Sequence, residues 1–261
     1  MSAEWAVALF RKSVLKQAKF RRITELLDDP VGQRCLDIGA DNGVISLLLR
    51  RRGGSWASAD LDEHTVASIR ELVGDDVHRL DGARTPFPDR TFDQVVVVDY
   101  LEHIPDDDRF AAELARILRP GGRVIVNVPH RKPRSLLNRF RHLIGLTDEW
   151  HGHLRPGYSL EEIRTLLGPR FSIERSVTYS KSFSEFVDTA LNGLYLAMQR
   201  GGDSRGSSKG TVVTQADIRK HRKQFLLLSG LYPFLWGISR LDALLWLQPG
   251  YKLIVRARLA S

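Results

Sequence analysis

Cysteine, long hydrophobic runs and secretion signals are scarce or missing in this sequence. Its 261 residues include one cysteine, Cys35, so no disulfide can form within the chain and a reducing compartment fits best. No uninterrupted apolar run reaches the roughly 18–20 residues that span a bilayer. The N-terminal residues lack the charged-then-apolar order of a signal peptide. These absences predict a cytoplasmic protein, with peripheral contact at the inner face of the membrane left open.

Two phosphate-binding signatures are also absent. No G-K-[ST] follows a glycine-rich turn, which excludes a P-loop. The turn after the first predicted strand reads Gly39-Ala40-Asp41-Asn42-Gly43 instead of G-x-G-x-x-G, and Asp41 would place a negative charge where a pyrophosphate must approach. A nicotinamide-dependent oxidoreductase is therefore disfavoured, whereas a cationic ligand is compatible with the turn.

Positive charge exceeds negative charge along the chain. There are 39 Lys and Arg residues against 31 Asp and Glu residues, a formal net charge of +8. Nucleic acid, acidic lipid headgroups and phosphorylated metabolites are all favoured electrostatically by this excess, which cannot choose among them. Apolar and basic residues are mixed from Glu4 to Leu27, which predicts one amphipathic basic helix there.

Predicted strands and helices alternate over about a hundred residues. The strand patterns are RCLDI, SWASAD, DVHRL, FDQVVVVD and RVIVNVP, and the four consecutive valines favour burial on both faces of a sheet. Two later strands are predicted in RFSIERSVTYSKSF and GYKLIVRARLA. Such alternation predicts an α/β fold, a doubly wound, mostly parallel, seven-stranded Rossmann-like sheet with right-handed crossovers.

A helical, apolar insertion is predicted before the last strand. The expected organisation is a core of residues 1–183 and 249–261, interrupted by an insertion at 184–248. Polar residues and a proline interrupt the apolar segment Phe225–Leu247, which argues against a membrane-spanning helix. The segment is compatible with a lid over the acceptor, a contact with a membrane surface, or a dimer contact.

Four carboxylates are predicted to line one edge of the sheet. Asp37, Asp60, Asp81 and Asp99 each come at or near the end of a predicted strand. Ligands of open parallel sheets bind beyond the carboxyl ends of the strands, at the point where the strand order reverses. With no lysine among them, the four acids suit a ligand that has hydroxyls, an amine and a positive centre.

Four segments of the sequence follow one another in the order and at the spacing of a known family. They are LDIGADNG, ADLDEHTV, LDGARTPFPDRTFDQVVVVDYLEHI and LRPGGRVIVNVP. In this respect the sequence resembles the class I S-adenosylmethionine-dependent methyltransferases over about Gln33 to Pro129, and more loosely beyond. The resemblance implies S-adenosylmethionine as cofactor. Asp41 departs from the family pattern, which has a further glycine at that position.

The resemblance also implies which residues contact the cofactor. They are Asp37, Gly39, Asp41, Gly43, Asp60, Leu61, Asp81, Gly82 and Asp99. The first four would surround the amino-acid part, the next two would meet the ribose and adenine, and Asp81 with Gly82 the adenine amine. Asp99, with Tyr100, would lie near the methionine end and the acceptor.

Histidines that follow strand ends are candidate general bases for a hydroxyl acceptor. His153 is favoured, then His151, and His103 is a third candidate that packing at the start of a helix would also explain. His130 is a fourth. Methyl transfer from a sulfonium needs no metal, and the sequence shows no convincing set of metal ligands.

We expect the acceptor to be a small molecule that is methylated at oxygen. A lipid-linked compound or a glycan is one form that this acceptor can take. The family's amino-methylating nucleic-acid enzymes have [DNS]-P-P-[YFW] where this chain reads DYLE. Nucleic acid is therefore disfavoured, although an RNA-directed methyltransferase stays an alternative. A methyltransferase-like binding module without turnover is another. The oligomeric state is left open.

Overall fold

The structure is a computed structural model that describes residues 3–39, 42–199 and 222–260. Its strands are β1 Arg34–Ile38, β2 Ser55–Asp60, β3 Val77–Arg79, β4 Phe92–Val98, β5 Leu118–Pro129, β6 Phe171–Tyr179 and β7 Lys252–Leu259. Its helices are α1 Ala3–Phe10, α2 Val14–Leu26, α3 Val44–Arg50, α4 Glu63–Val73, α5 Asp107–Ile117, α6 Leu136–Leu143, α7 Leu160–Leu167, α8 Ser182–Gln199 and α9 Arg222–Arg240. Short 3₁₀ turns occur at Leu101–His103, Gly168–Arg170 and Leu241–Leu245.

The seven strands form one sheet in the order β3-β2-β1-β4-β5-β7-β6. Neighbouring strands from β3 to β5 pair in parallel, and β7 runs antiparallel to both β5 and β6. The strand order reverses between β1 and β4, so the crevice for a ligand lies beyond the carboxyl ends of these two strands. The predicted doubly wound, mostly parallel seven-stranded sheet is confirmed.

The valine run of β4 explains why this strand is central. Val95 and Val97 belong to the apolar cluster on one face of the sheet, and Val96 and Val98 to the cluster on the other. All four side chains are buried. A strand covered on both faces needs an unbroken apolar run, which is the pattern read from the sequence.

Two predicted element boundaries differ from the structure. The N-terminal region forms two helices instead of one, because the hydroxyl of Ser13 accepts a hydrogen bond from the Lys16 N–H at 3.3 Å and begins α2 there. The sequence pattern DDDRFAAELARILRPGG predicts a helix that closes at Pro120-Gly121, but α5 ends at Ile117. The Pro-Gly-Gly turn instead lies inside β5, where the register of pairing with β4 shifts.

The residues just before the insertion are tied to its C-terminal part. Asp242 lies in the turn after α9, and its carboxylate accepts hydrogen bonds from the backbone N–H groups of Lys181 at 2.7 Å and Phe183 at 2.9 Å. Lys181 directly precedes α8 and Phe183 lies in its first turn, whose N–H groups have no partner within the helix. Residues 200–221 of the insertion, which include most of the polar stretch QRGGDSRGSSKG, lie outside the described residues.

Among the described residues, no helix combines the length and apolar character needed to cross a bilayer. The predicted division into a core and an insertion, and the three roles considered for residues 184–248, stay predictions.

Candidate active site

The turn after β1 requires glycine at two positions. Gly39 has φ +77°, and a Cβ atom there would lie 2.2 Å from the carbonyl oxygen of Val98. Gly43 has φ +82°, and its Cβ would lie 2.8 Å from the Cα of Ile69. Both conformations disfavour an L side chain, and both contacts are too close for one. The turn therefore holds β1 close to β4 and starts α3 close to α4.

The Asp37 carboxylate lies beneath this turn and is fully buried. The hydroxyl of Ser58 is 2.8 Å from both of its oxygens, and a guanidinium nitrogen of Arg50 lies at 3.8 Å. Burial raises the pKa of Asp37 to about 6, and Arg50 and the serine hydroxyls only partly offset this. These contacts join β1 to β2. The implied contact of Asp37 with a cofactor stays a prediction.

The ends of β2 and β3 place two further acids beside one phenol. Tyr100 is buried and donates its hydroxyl hydrogen to the Gly82 carbonyl at 2.6 Å. Burial, followed by the negative charges of Asp60 and Asp81, raises the pKa of this phenol. Both carboxylates therefore lie near Tyr100, at the carboxyl edge of the sheet. Leu61 packs on the core beside them.

Asp99 follows β4 and has the positive φ of 45°. The amide of Asn127 donates a hydrogen bond to its Oδ1 at 3.0 Å, and the Lys19 ammonium forms an ion pair with its Oδ2. The Tyr179 hydroxyl in turn donates to the amide oxygen of Asn127 at 2.6 Å. Asp99 is thus positioned by a network that reaches from α2 to β6.

The expectation that no lysine lies among the strand-end acids is wrong. Lys19 contacts Asp99, although the two residues are far apart in the sequence. Lys252 is a second cation, and burial alone would lower the pKa of its ammonium, yet four nearby carboxylates raise it. These are Asp99, Glu185, Glu102 and Asp188. The cleft edge is therefore mixed in charge near the end of β4 and acidic near the ends of β2 and β3.

The remaining predicted contacts belong to the turn itself. Asp41, together with Ala40, lies outside the described residues. Asn42 is described, and its buried side-chain oxygen has no hydrogen-bond donor among the described residues. A buried amide oxygen without a donor is costly unless a ligand or water supplies one.

These features fit S-adenosylmethionine. Asp60 and Asp81 provide acceptors for hydroxyl and amine groups, and the glycine turn offers the side-chain oxygen of Asn42 as an acceptor for the amine of an amino acid. The assignment of individual residues to parts of the cofactor, for all nine positions predicted, stays a prediction.

Three of the histidines singled out from the sequence lie together. We call His103, His151 and His153 the histidine cluster. The ring of His153 is 5.0 Å from that of His103, edge to face, and 5.4 Å from that of His151, nearly parallel to it. His103 directly follows the Asp99–Tyr100 corner, so the cluster is at the same edge of the sheet as the acids. His130 is apart from it, with its Nδ1 2.8 Å from the carbonyl oxygen of Gly250.

The orientation of His103 is set by the loop that follows α6. Its Nδ1 lies 2.8 Å from the Gly152 carbonyl oxygen, and since a carbonyl only accepts, Nδ1 carries the hydrogen. In the neutral ring the lone pair is then on Nε2. The loop is anchored where Arg155 pairs with Asp107 and the Tyr158 hydroxyl donates to the same carboxylate at 2.8 Å.

Glu102 is a residue of this region that the sequence reasoning missed. Its side chain is fully buried, and its ligand atoms lie within 4.8 Å of those of His103 and His153. A carboxylate and two imidazoles are groups that bind zinc or iron. The only signal in the sequence is the adjacency of Glu102 to His103. The expectation that no metal is used stays a prediction.

A groove of about 910 Å³ begins at the same edge of the sheet. One of its walls follows directly from β5 at His130, and Tyr251 lies beside it at the start of β7. Its lining combines cations with apolar side chains; among them are Arg131, Lys132, Arg134, Leu136, Leu137, Phe140 and Phe186. Such a lining suits a ligand with an anionic part and a hydrocarbon part.

The family model and the similar proteins described below all carry methyltransferase descriptions. A family described as a methyltransferase domain matches residues 36–126. The chain is 30% identical over 118 residues to the demethylmenaquinone methyltransferase of Tropheryma whipplei strain Twist, covering 44% of this chain and 49% of that one. It is 27% identical over 161 residues to the phosphatidylethanolamine N-methyltransferase of Cereibacter sphaeroides, covering 56% and 76%.

A third relative is the ubiquinone biosynthesis O-methyltransferase of Aeromonas salmonicida strain A449, which is 28% identical over 127 residues and covers 44% of this chain and 51% of that one. The chain thus spans about half the length of the quinone-related relatives that it matches.

Solved structures extend the likeness in fold to almost the whole chain. An S-adenosylmethionine-dependent methyltransferase from Mesorhizobium loti superposes with a TM-score of 0.54 at 18% identity, covering 92% of this chain and 97% of that one. The [4+2]-cyclase SpnF superposes with a TM-score of 0.59 at 19% identity, covering 94% and 82%. At such identities the likeness shows the fold alone.

The strand order, the glycine turn, the strand-end acids and the matched domain at residues 36–126 agree with one another. Residues 36–126 of this chain match a methyltransferase domain, and the chain has the fold of the S-adenosylmethionine-dependent methyltransferases.

Proposed function

We propose that this protein transfers a methyl group from S-adenosylmethionine to a hydroxyl oxygen of a small-molecule acceptor that has a lipid or lipid-linked sugar part. The observation that carries the proposal is the juxtaposition of two features at one edge of the sheet. The strand-end acids and the glycine turn supply the cofactor site, and the groove beginning at His130 supplies a basic and apolar site beside it.

The protein's main task in this reaction is positioning. The bound cofactor supplies a methyl group on a sulfonium, which is a good leaving group. Holding an acceptor oxygen in line with that methyl can lower the barrier by roughly 7–11 kcal/mol. The corner at Asp99 and Tyr100 is held by Asn127 at 3.0 Å and by the Gly82 carbonyl at 2.6 Å, so the wall facing the acceptor is fixed before binding.

The histidine cluster is suited to accept the proton of the acceptor hydroxyl. His103 has a defined hydrogen on Nδ1 and a lone pair on Nε2, and His153 and His151 stand next to it. General-base catalysis contributes roughly 10² to 10⁴ in rate. We propose that one of these three rings takes the proton, with the others and buried Glu102 stabilising the imidazolium that forms.

Three similar proteins support an acceptor of this class. The names of two of them specify a quinone and the name of the third a phospholipid. One of the quinone-related names specifies oxygen as the methylated atom, and the phospholipid-related name specifies nitrogen. Each name applies to its own protein. For this chain, the groove lined by arginine, leucine and phenylalanine side chains is the independent support for a lipid part.

The test is transfer of label from methyl-labelled S-adenosylmethionine into a cell extract, separated into lipid, RNA and water-soluble fractions. We expect label in the lipid or small-molecule fraction, with the product's methylated oxygen identified by mass spectrometry. Label confined to RNA would replace the proposal with an RNA-directed methyltransferase. Cofactor binding without any label transfer would indicate a binding module, or a different reaction on the same fold, as for the cyclase.

The histidine cluster is tested by replacing each member with alanine. We expect at least one of His103→Ala, His151→Ala and His153→Ala to lower turnover by about 10² or more while leaving affinity for S-adenosylhomocysteine unchanged. His64→Ala is the matched control, because His64 is exposed on α4. Unchanged turnover in all three variants would remove the general base from the mechanism.

A further inference from the structure

We propose that this protein docks on an anionic lipid bilayer through one face. The docking face is formed by the outer side of α6, the first turn of α8, and the second half of α9 with the turn that follows it. This inference concerns where the protein sits and does not depend on methyl transfer.

The α6 part of the docking face is an apolar stripe turned to solvent. Leu136, Phe140 and Leu143 are spaced four and three residues apart, which places them on one side of the helix. Leu136 is 78% exposed and Leu143 83% exposed. Soluble monomers rarely leave large contiguous apolar patches in water, and those that do use them to bind a protein, a ligand or a membrane.

The α9 part of the docking face is also an apolar stripe turned to solvent. Leu231, Phe234, Ile238 and Leu241 follow one another at intervals of three, four and three residues, the spacing of one helix face. Phe234 is 67% exposed. Beyond Leu241 the chain adds three more exposed apolar side chains, which are Leu244, Trp246 and Leu247. Exposed tryptophan and leucine at the end of a helix are typical of segments that lie in a membrane interface.

The two stripes are parts of one surface. Leu137 of α6, Phe186 of α8 and Ile238 of α9 line a common hollow of about 520 Å³. Leu137 and Phe186 also line the groove that contains Leu136 and Phe140. The stripes of α6 and α9 therefore meet across the first turn of α8 and make a single apolar surface.

Cations border this apolar surface on the side of the groove. Arg134 precedes α6 and Arg139 lies on it, and both are exposed. Arg131 is also exposed, and it is paired with Glu162. The ammonium of Lys132 lies over the Tyr251 ring, 3.8 Å from its centroid, and donates a hydrogen bond to the Pro249 carbonyl at 2.7 Å. An apolar centre with a basic border matches the acyl chains and anionic headgroups of a bilayer.

Charge selects the bilayer over a second copy of the chain. A two-fold dimer through the docking face would use the same surface on both subunits and bring two arginine borders into one interface. Anionic headgroups instead complement this border, and the net charge of +8 attracts the whole chain to them. The groove lies in the docking face and leads to His130 at the sheet edge, so a lipid could pass from the bilayer toward the cleft.

The test is co-sedimentation of the full chain, without cofactor or acceptor, with phosphatidylcholine vesicles that either contain or lack phosphatidylglycerol. We expect binding to the anionic vesicles and little to the neutral ones. The double variants Leu136→Asp/Leu143→Asp and Arg134→Glu/Arg139→Glu should each weaken this binding by at least about tenfold.

Val31→Asp is the matched control, since Val31 is 68% exposed and precedes β1, at the opposite edge of the sheet. It should bind like the parent protein, and circular dichroism should confirm that every variant is folded. Absence of binding to anionic vesicles, or equal binding by the variants, would overturn the proposal. So would a dimer, detected by light scattering, that the same variants break. Methyl transfer could still occur in each of these cases, so the two proposals fail separately.

Discussion

Replacing Tyr179 with phenylalanine removes one hydroxyl from the network that positions Asp99. That hydroxyl donates to the Asn127 side-chain oxygen at 2.6 Å, and Asn127 donates to Asp99 at 3.0 Å. Asn127 and Tyr179 are both buried. Burial, together with the nearby negative charges of Asp99 and Glu185, raises the pKa of Tyr179 well above its ordinary value, so the hydroxyl keeps its hydrogen at neutral pH.

The expected magnitude follows from what Tyr179→Phe leaves behind. The buried oxygen of Asn127 loses its donor, and an unsatisfied buried acceptor costs about 1–3 kcal/mol. Domains of this kind are stable by about 5–15 kcal/mol, so the variant folds but unfolds at lower urea concentration. Because Asn127 then holds Asp99 less firmly, affinity for S-adenosylhomocysteine should also fall severalfold.

Urea denaturation followed by circular dichroism measures the first effect, and calorimetric titration with S-adenosylhomocysteine measures the second. Tyr232→Phe is the matched control, because the Tyr232 hydroxyl only accepts a 2.8 Å hydrogen bond from Gln17 at a partly exposed site. It should change stability by less than about 1 kcal/mol. A Tyr179→Phe variant as stable as the parent, with unchanged affinity, would refute the positioning network.

Three further outcomes are expected. Gly39→Ala should destabilise the protein by more than about 1 kcal/mol and abolish cofactor binding, because the added Cβ would lie 2.2 Å from the Val98 carbonyl oxygen at a positive φ. The pKa of Asp37 is raised from its ordinary value of 3.8 to about 6 in the folded protein, so the protonated carboxyl favours folding. Its contribution to the free energy of unfolding is complete below pH 3.8 and is lost as the pH rises through 6. Asp37→Asn should therefore gain up to about 3 kcal/mol relative to the parent between pH 4 and pH 7. Removal of divalent metals with EDTA should leave cofactor affinity and methyl transfer unchanged.

Each of these outcomes has a matched measurement. Gly74→Ala is the control for Gly39→Ala, since its added Cβ has no neighbour within 4 Å although φ is also positive. Equal effects of the two would show that only backbone strain matters. For Asp37→Asn, urea denaturation at several pH values gives the free energy of unfolding as a function of pH. This pH dependence should differ between the variant and the parent, and the same pH dependence in both would contradict the raised pKa. Activity lost in EDTA and restored by a divalent ion would assign Glu102 and its neighbouring histidines to a metal.

The fold could be predicted because its signals are local. The valine run of β4 indicates a strand buried on both faces, and Gly39 and Gly43 mark a turn that no other residue could make. Once the strands were known to be parallel, the acids that follow them had to share one edge of the sheet. The order of the strands along the chain was therefore enough to predict that Asp60 and Asp81 lie at the same edge. In the structure both lie near Tyr100.

Contacts between distant parts of the chain could not be predicted in the same way. Lys19 comes from α2 and reaches Asp99 across a separation that no sequence pattern encodes. Lys252 starts a strand in a sequence pattern that gives no sign of the surrounding carboxylates. The hydrogen on His103 Nδ1 depends on a carbonyl in a separate loop. These features arise from tertiary packing, which propensity and periodicity do not describe.

Calorimetric titration of the purified protein with S-adenosylmethionine and S-adenosylhomocysteine tests the central claim, that the strand-end acids form the cofactor site. We expect micromolar binding of both, weakened by about tenfold or more in Asp60→Ala, since hydrogen bonds to a charged group contribute about 1.5–3 kcal/mol. Asp75→Ala, at an exposed position before β3 on the opposite edge, should bind like the parent. No heat with either compound, together with binding of NADH, would contradict the account.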